Sequence, residues 1–284
     1  MISNDEAEIT ITLNKNLTTD STIIVPEGKK VMLDLDGKNI SAKGNIVPLW
    51  SAGGEIIVKN GTVSADSVAI VVREGGTVTI ENSNISSTKN NAITATEGTV
   101  TINSGNVTSQ EAGVAGFKNS TIILNGGTLT GIDNCPLMGN GSAAGTTNDG
   151  TNMNIVMNGG KLLAHITTPG YAACGVYIPN SGSFTMNGGE IISDGAGLVM
   201  RGGRVVLNGG KITANGSAGA VGKVGDSRQV VGSYAVVYDA NSKYPAMNTL
   251  ELVIGKNMQL EGTDGTVQLI LAEGINANIT DNRD

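Results

Sequence analysis

Short stretches in which apolar and polar residues alternate recur along the chain, each ending before a turn rich in asparagine and glycine. Clear examples are Thr99–Ile102, Thr121–Leu124 and Arg204–Leu207, and such alternation predicts a β-strand with one buried face. The last apolar residue before the turn marks each copy: Leu35, Val58, Ile80, Ile102, Leu124, Met157, Met186, Leu207 and, in a weaker copy, Ile254. Their spacings of 23, 22, 22, 22, 33, 29, 21 and 47 indicate a repeat of about 22 residues with insertions.

Each repeat contains two further strand signals. One follows the turn, as in Thr128–Thr130, and the other is a short run of small and apolar residues, as in Ala92–Ala95 and Gly197–Met200. The β-branched residues and glycines oppose helices, so helical hairpins and leucine-rich repeats are excluded. The repeat therefore predicts an all-β fold, a parallel β-helix whose coils stack at about 4.8 Å.

Composition excludes several other classes. The 41 glycines among 284 residues do not recur at every third position, so the chain is not collagen-like. A net charge of −7 and 3 % aromatic residues lack the electrostatic footprint of a nucleic-acid-binding protein. No run approaches the roughly 20 apolar residues that span a bilayer, so no membrane partner is expected. The N-terminus, Met1–Glu8, is acidic, and we expect no export by a leader of its own.

The residue after each marker position is asparagine in the later copies. These residues, Asn103, Asn125, Asn158, Asn187 and Asn208, would lie one above another in a β-helix. Stacked asparagines can form a ladder of side-chain amide hydrogen bonds. Asparagine and glycine also tolerate the left-handed backbone of such a corner, so we predict a structural ladder here.

The stretch Ile23–Ser41 and the recurring Met/Leu-Asn-Gly-Gly-x-Ile/Leu units resemble the right-handed β-helix proteins of the pectate-lyase-like superfold. They are also similar to Asn-Gly-Gly repeats in phage structural and bacterial surface proteins. The resemblance implies a single-stranded right-handed parallel β-helix, a solenoid of about ten coils of about 22 residues. That superfold hosts lyases, hydrolases, adhesins and viral fibres, so the resemblance predicts the fold rather than the activity.

The repeat predicts one domain over residues 1–284. We expect an N-terminal cap over 1–22, coils over 23–260 and a C-terminal cap over 261–284, with Ile9–Leu13 and Thr266–Leu271 covering the exposed strand edges. The longer spacings predict four insertions, at 139–152, 164–173, 215–233 and 239–249. Loops on one face of a solenoid are where binding usually resides.

No catalytic, metal-binding or cofactor-binding residue is predicted. Enzymes of the superfold need several carboxylates converging on neighbouring coils. The best acidic pair is Glu74 with Glu97, beside Arg73, and it is interpreted as two solvated turn residues. The single histidine, His165, has no acid near it in sequence and is interpreted as a loop residue.

Two cysteines, Cys135 and Cys174, fall in consecutive coils beside the third strand. A disulfide between them is conceivable, but the sequence favours two buried thiols in a reducing compartment. Five tyrosines lie in or near the insertions and are predicted as a binding face: Tyr171, Tyr177, Tyr234, Tyr238 and Tyr244. The alternative is that the insertions pack on their own rod.

Three functions remain open. The favoured one is a non-enzymatic structural protein of a virion, a phage capsid-decoration or fibre-type component made in the host cytoplasm. Its partners would be other capsid proteins, and the candidate docking segments are Met1–Glu8 and Ile279–Asp284. The first alternative is a bacterial surface adhesin or carbohydrate-binding β-helix that binds cell-surface glycans. The second is a polysaccharide lyase or hydrolase. The oligomeric state stays open, and a homo-oligomer is compatible with all three.

Overall fold

The fold is described by a computed structural model for residues 7–139, 152–168, 173–178, 182–216, 222–224, 229–240, 249–271, 273–274 and 276–283. These residues form 31 strands and no helix. The described part of the chain therefore contains no helix that is long and apolar enough to span a bilayer.

The strands are mostly three to five residues long, as the alternating stretches predict. In the first part of the chain they are β1 (Glu8–Thr12), β2 (Leu17–Thr19), β3 (Ile23–Pro26), β4 (Lys30–Asp34), β5 (Asn39–Ala42), β6 (Leu49–Ala52), β7 (Glu55–Lys59), β8 (Thr62–Ala65), β9 (Ile70–Arg73), β10 (Thr77–Glu81), β11 (Ser83–Ser87), β12 (Ile93–Ala95), β13 (Thr99–Ile102), β14 (Gly105–Ser109), β15 (Val114–Gly116), β16 (Thr121–Leu124) and β17 (Thr128–Ile132). They continue as β18 (Leu137–Gly139), β19 (Asn154–Met157), β20 (Lys161–His165), β21 (Cys174–Ile178), β22 (Ser183–Met186), β23 (Glu190–Ser193), β24 (Ala196–Met200), β25 (Gly203–Ala214), β26 (Gly222–Val224), β27 (Gln229–Val231), β28 (Tyr234–Ala240), β29 (Thr249–Gly262), β30 (Gly265–Leu271) and β31 (Asn276–Asp281).

The strands pair in parallel with their equivalents one repeat away, in three rows. The first row runs from β1 and β4 through every third strand to β25, β29 and β31, and the second from β2 and β5 to β25 and β29; together they form one 19-stranded sheet. The third row is a ten-stranded sheet from β3 to β30. Only β26 and β27, among the described strands, pair antiparallel. This all-β arrangement of long parallel sheets is consistent with the predicted parallel β-helix.

The register keeps equivalent residues in line. Val78 pairs with Val100, which pairs with Ile122, which pairs with Ile155. All four side chains are buried, with 0–1 % exposed, whereas the residues that alternate with them along each strand point outward. The core therefore consists of columns of apolar side chains that run across successive repeats.

The Asn-Gly-Gly corners require glycine for a steric reason. The second glycine of three successive corners, Gly127, Gly160 and Gly189, has a φ of 80°, 82° and 91°. A Cβ atom on Gly127 would also lie 2.6 Å from the carbonyl oxygen of Gly105 in the preceding repeat. Close stacking of the corners therefore excludes a side chain at this position.

One detail of the sequence prediction changes. The register pairs Val58 with Leu33 rather than Leu35, so the first marker is two residues earlier than the spacing predicts. The segments predicted as caps contain strands of the sheets: β1 and β2 pair with β4 and β5, and β30 pairs with β28. Of the predicted insertions, the described part of 215–233 includes the hairpin of β26 and β27, and 164–173 is described except for 169–172. Most of 139–152 and of 239–249 lies outside the described residues.

Candidate functional site

The five predicted ladder asparagines are joined by consecutive side-chain hydrogen bonds. In each pair the later residue donates from Nδ2 to Oδ1 of the earlier one. The donor–acceptor distances are 2.9 Å for Asn125 to Asn103, and 2.8 Å for Asn158 to Asn125, Asn187 to Asn158 and Asn208 to Asn187. Each inner asparagine of the row donates one hydrogen bond and accepts one within the row, which makes the row a structural element.

Further hydrogen bonds from side-chain amides, which sequence reasoning missed, occur earlier in the chain. Asn82 donates to Asn60 at 3.1 Å, and Asn60 donates to the Asp34 carboxylate at 3.2 Å. Asn106 donates to Asn84 at 2.9 Å. The signal was available, because the asparagines of each pair recur at a spacing of 22 across the second, third and fourth copies.

Of the five tyrosines predicted to bind, Tyr171 and Tyr244 lie outside the described residues. Tyr177 and Tyr238 are buried, with 4 % and 0 % exposed, and only Tyr234 among the described three is partly exposed. Burial and, secondarily, the charge of Glu251 raise the pKa of Tyr238 above its usual range. Binding through an exposed tyrosine face stays a prediction, and of these three it would depend on Tyr234.

The outward side of the third row is sealed in this region. Every residue of β21 and β24 is buried, on both faces of the sheet. The outward residues form a second apolar cluster, separate from the main core: Cys135, Cys174, Tyr177, Ala196, Val199 and Val237. Because both faces of the sheet are buried at β21 and β24, these two strands offer no exposed surface on which a ligand could bind.

Cys135 and Cys174 form a disulfide inside this cluster, with Cα atoms 4.9 Å apart. The expectation of two reduced thiols was therefore wrong, although both residues are buried as predicted. The spacing of 39 residues does not reveal the pairing, because it includes an insertion of unknown path. The disulfide joins the segments that precede β18 and open β21, two neighbouring strands of the third row.

A buried ion pair lies beside the cluster. Arg201 and Asp239 follow directly after Met200 and Tyr238, which pair with each other in the third row. Both charged side chains are 0 % exposed, with Arg201 Nη2 3.0 Å from Asp239 Oδ2. The Arg201 guanidinium also lies 5.4 Å from the Tyr177 ring centre, a cation–π distance. Opposite charges at one phase of two neighbouring repeats were the missed sequence signal.

His165 has an acid near it in space, although none lies near it in sequence. It is the last residue of β20, and its Nδ1 lies 3.2 Å from Oδ2 of Asp194 in the following repeat. The same Asp194 oxygen accepts a hydrogen bond from the backbone N–H of Ile166 at 3.1 Å. The histidine side chain is 45 % exposed, so this is a surface pair at a strand end.

Asp133, in the preceding repeat, holds the residues after His165. Its carboxylate accepts four hydrogen bonds, from the backbone N–H groups and the hydroxyls of Thr167 and Thr168, at 2.6–2.9 Å. Desolvation alone would raise the pKa of Asp133, but these four bonds outweigh it and lower the pKa to about 2. Segment 165–168 is thus tied to one carboxylate on each side, and both acids act as backbone anchors.

The acidic pair Glu74 and Glu97 occupies turns, as interpreted. Both residues have positive φ angles, 59° and 53°, and Glu97 forms an ion pair with Lys118 at 2.8 Å. The Arg73 guanidinium lies over the Trp50 ring, 5.8 Å from the ring centre. Among the described residues no three His, Cys, Asp or Glu side chains converge as metal ligands would.

Comparison with models of known protein families, with curated proteins and with solved structures finds no match to this chain. The resemblance to pectate-lyase-like, phage and bacterial surface proteins therefore stays a prediction from the repeat alone. What the chain does must be inferred from its own ladders, ion pairs and sheet edges.

Proposed function

We propose that the chain is a non-enzymatic structural component of a virion, of the capsid-decoration or fibre type. In this proposal it folds as a right-handed parallel β-helix of about ten coils, one for each strand of the third row. Ten coils at about 4.8 Å would form a rod of roughly 50 Å. The observation that carries the proposal is the continuous asparagine ladder from Asn103 to Asn208, which ties successive repeats along the outer surface.

The surface charges support a mechanical role in the same way. Several ion pairs join one repeat to the next along the stacking direction, at 2.8–3.1 Å: Lys59 with Glu81, Lys161 with Glu190, Lys211 with Glu261 and Arg204 with Glu251. Each is weak alone, but repeated cross-strand pairs oppose bending and shear between rungs. A rod whose outer side chains mainly hold its own rungs suits a spacer in an assembly.

The proposal is tested by finding where the protein resides. Particles released from the producing cells are separated on a density gradient, and each fraction is examined by mass spectrometry for peptides of this chain. We expect the peptides in the particle fractions, with other capsid proteins, and in a fixed ratio to them. Recovery only from the cell envelope or the soluble fraction would contradict the proposal.

A deletion locates the attachment. Residues 1–8, of which 1–6 lie outside the described residues, were predicted to dock on a capsid partner. A chain lacking them should keep its β-sheet circular dichroism spectrum and its unfolding midpoint, yet no longer co-sediment with particles. A matched chain lacking residues 282–284 should still bind unless the C-terminal segment is the docking element. Loss of folding in the first variant would assign residues 1–8 to the rod instead.

One observation favours a second candidate function. The Cys135–Cys174 disulfide is typical of oxidising compartments, and a bacterial surface adhesin or carbohydrate-binding β-helix would reside in one. In that case the purified chain should bind defined glycans on an array, and Tyr234→Ala should reduce the signal. Tyr177→Phe, a buried ring, is the matched control that should leave it unchanged.

A further inference from the structure

The C-terminal end of the stack leaves strand edges unpaired. Among the described strands, β30 pairs only with β28, β31 only with the first half of β29, and the second half of β29 only with β25. Each outer edge therefore presents a row of backbone N–H and C=O groups without a strand partner. Such edges are templates for pairing with another chain.

The apolar core is also open at this end. Leu269 pairs with Tyr238, and Ile279 pairs with Leu252, so both occupy positions of the core columns. Tyr238 and Leu252 are fully buried, whereas Leu269 is 48 % and Ile279 38 % exposed, and the neighbouring Leu271 is 41 % exposed. Among the described strands, these side chains have a rung below them and none above, which leaves apolar surface that a further strand would cover.

The N-terminal end, by contrast, carries features that discourage strand pairing. Pro26 in β3 has no N–H to donate, β2 has only three residues, and Glu8 in β1 forms an ion pair with Lys30 at 3.4 Å. β30 has none of these features, because Gly265–Leu271 contains seven residues without a charge or a proline. The other open strands at this end do carry charges, Asp281 in β31 and Glu261 in β29. Natural sheets protect edges that must stay free, so the contrast marks β30 as the central strand of an interface.

We propose that two copies of this chain associate through their C-terminal ends about a two-fold axis, with β30 antiparallel to its counterpart. A two-fold axis places identical residues near one another, which a neutral strand such as β30 allows without repulsion. The inference goes beyond the proposed function and does not depend on it, because it concerns only copies of this chain.

The step in the end face fits the same symmetry. β31 adds a rung above the first half of β29, and no described strand lies above the second half. The two-fold operation brings β31 of one copy onto the second half of β29 in the other, so that all three open edges gain a partner. In this antiparallel pairing the end of β31, where Asp281 pairs with Arg283 of its own chain at 2.6 Å, runs toward Lys256 of the partner subunit. The proposed contact thus matches in backbone, apolar and charged groups.

The first test is the oligomeric state of the purified full chain by sedimentation velocity over a range of concentrations. We expect a monomer–dimer equilibrium. Leu269→Lys should raise the dissociation constant by roughly a hundredfold, because it buries ammonium groups near the axis. The matched control is Ile24→Lys, a side chain 49 % exposed on the end strand β3, which should leave the equilibrium unchanged.

A cross-linking test does not require the lysine variant to fold. Gln268 is the central residue of β30, so two copies would place their Gln268 Cα atoms about 5 Å apart, within reach of a disulfide. Gln268→Cys should therefore form a covalent dimer on mild oxidation, and Ile24→Cys should not. A strictly monomeric chain, an open polymer that lengthens with concentration, or dimers cross-linked through Ile24→Cys but not Gln268→Cys would each overturn the proposal.

Discussion

The two halves of the chain share the same sheets but are held together differently. In the regular half, residues 8–132, repeats follow at 21 to 23 residues after the first corner. Their outer surface carries hydrogen bonds between side-chain amides and ion pairs such as Lys59 with Glu81. The interrupted half, residues 133–283, adds a disulfide, the buried Arg201–Asp239 pair and the four-bond anchor at Asp133. Strong single interactions thus occur where the spacing is broken.

The difference has a physical reason. In a stack of identical repeats each rung contacts its neighbours through the same small contacts, so stability is spread evenly. An insertion increases the conformational entropy that the chain loses on folding. It also removes some of the contacts between repeats that would offset this loss. In the interrupted half, the disulfide, the buried ion pair and the Asp133 anchor supply contacts across the insertions, whereas third-row strands buried on both faces occur in both halves.

The buried ion pair offers the largest test of this contrast. Arg201→Met should lower the free energy of unfolding by about 3–5 kcal/mol, because Asp239 is left as a buried charge without its cation. Arg204→Met, which breaks an exposed pair with Glu251, should cost less than about 1 kcal/mol. Urea unfolding monitored by circular dichroism measures both values. Equal losses would show that burial does not distinguish the two pairs.

The disulfide gives the next largest effect. Replacing both Cys135 and Cys174 by alanine should cost about 2–4 kcal/mol, since the bond closes a loop of 39 residues in the unfolded chain. Hydrogen exchange should accelerate in β18, β21 and β24, while β7–β14 keep their protection. Uniform loss of protection along the chain would mean that the halves do not differ in local stability.

Asp133 predicts a dependence on pH. Its pKa of about 2 in the folded chain lies below the ordinary value of 3.8, so its stabilising effect is complete above about pH 4 and disappears as the pH falls through 2. Asp133→Asn keeps a residue that tolerates the φ of 59° but removes the charge. The stability difference between the two proteins should therefore shrink between pH 5 and pH 2, measured by urea unfolding. A constant difference would contradict the anchor.

The asparagine ladder should show the smallest effect, and the same one in both halves. Asn125→Ala in the regular half and Asn187→Ala in the interrupted half each remove two side-chain hydrogen bonds of the ladder. Each variant should lower the free energy of unfolding by about 0.5–1.5 kcal/mol. Asn208→Ala, at the end of the ladder, removes one such bond and should cost less. Thermal unfolding compares the three. A much larger loss for Asn187 would assign part of the contrast to the ladder.

Much of the fold could be predicted from sequence, because side-chain periodicity and corner chemistry act locally. The alternation of polar and apolar residues in Thr99–Ile102 predicts which side chains face the core. Gly127, with its positive φ, marks the position of the corner after Asn125. The first marker was misplaced at Leu35 because the corner between Asp34 and Lys38 absorbs two extra residues. A turn can do this without changing the pattern of the strands on either side.

The interactions across insertions could not be predicted in the same way. Whether Cys135 meets Cys174 depends on the path of the intervening chain, which local pattern does not encode. Arginine is usually exposed in proteins, and the burial of Arg201 follows from packing on the outward side of the third row. The anchor at Asp133 needs a partner 34 residues away, since Thr167 lies in the next repeat.

The hydrogen bonds between asparagine side chains along the surface all have the same donor-to-acceptor direction. In each described asparagine pair the residue later in sequence is the donor, so the small dipoles add instead of cancelling, with their positive ends toward the start of the chain. One of these series ends on the Asp34 carboxylate, the charge that suits such a terminus. The outer surface therefore has an electrical direction, and an anion is favoured at one extremity and a cation at the other.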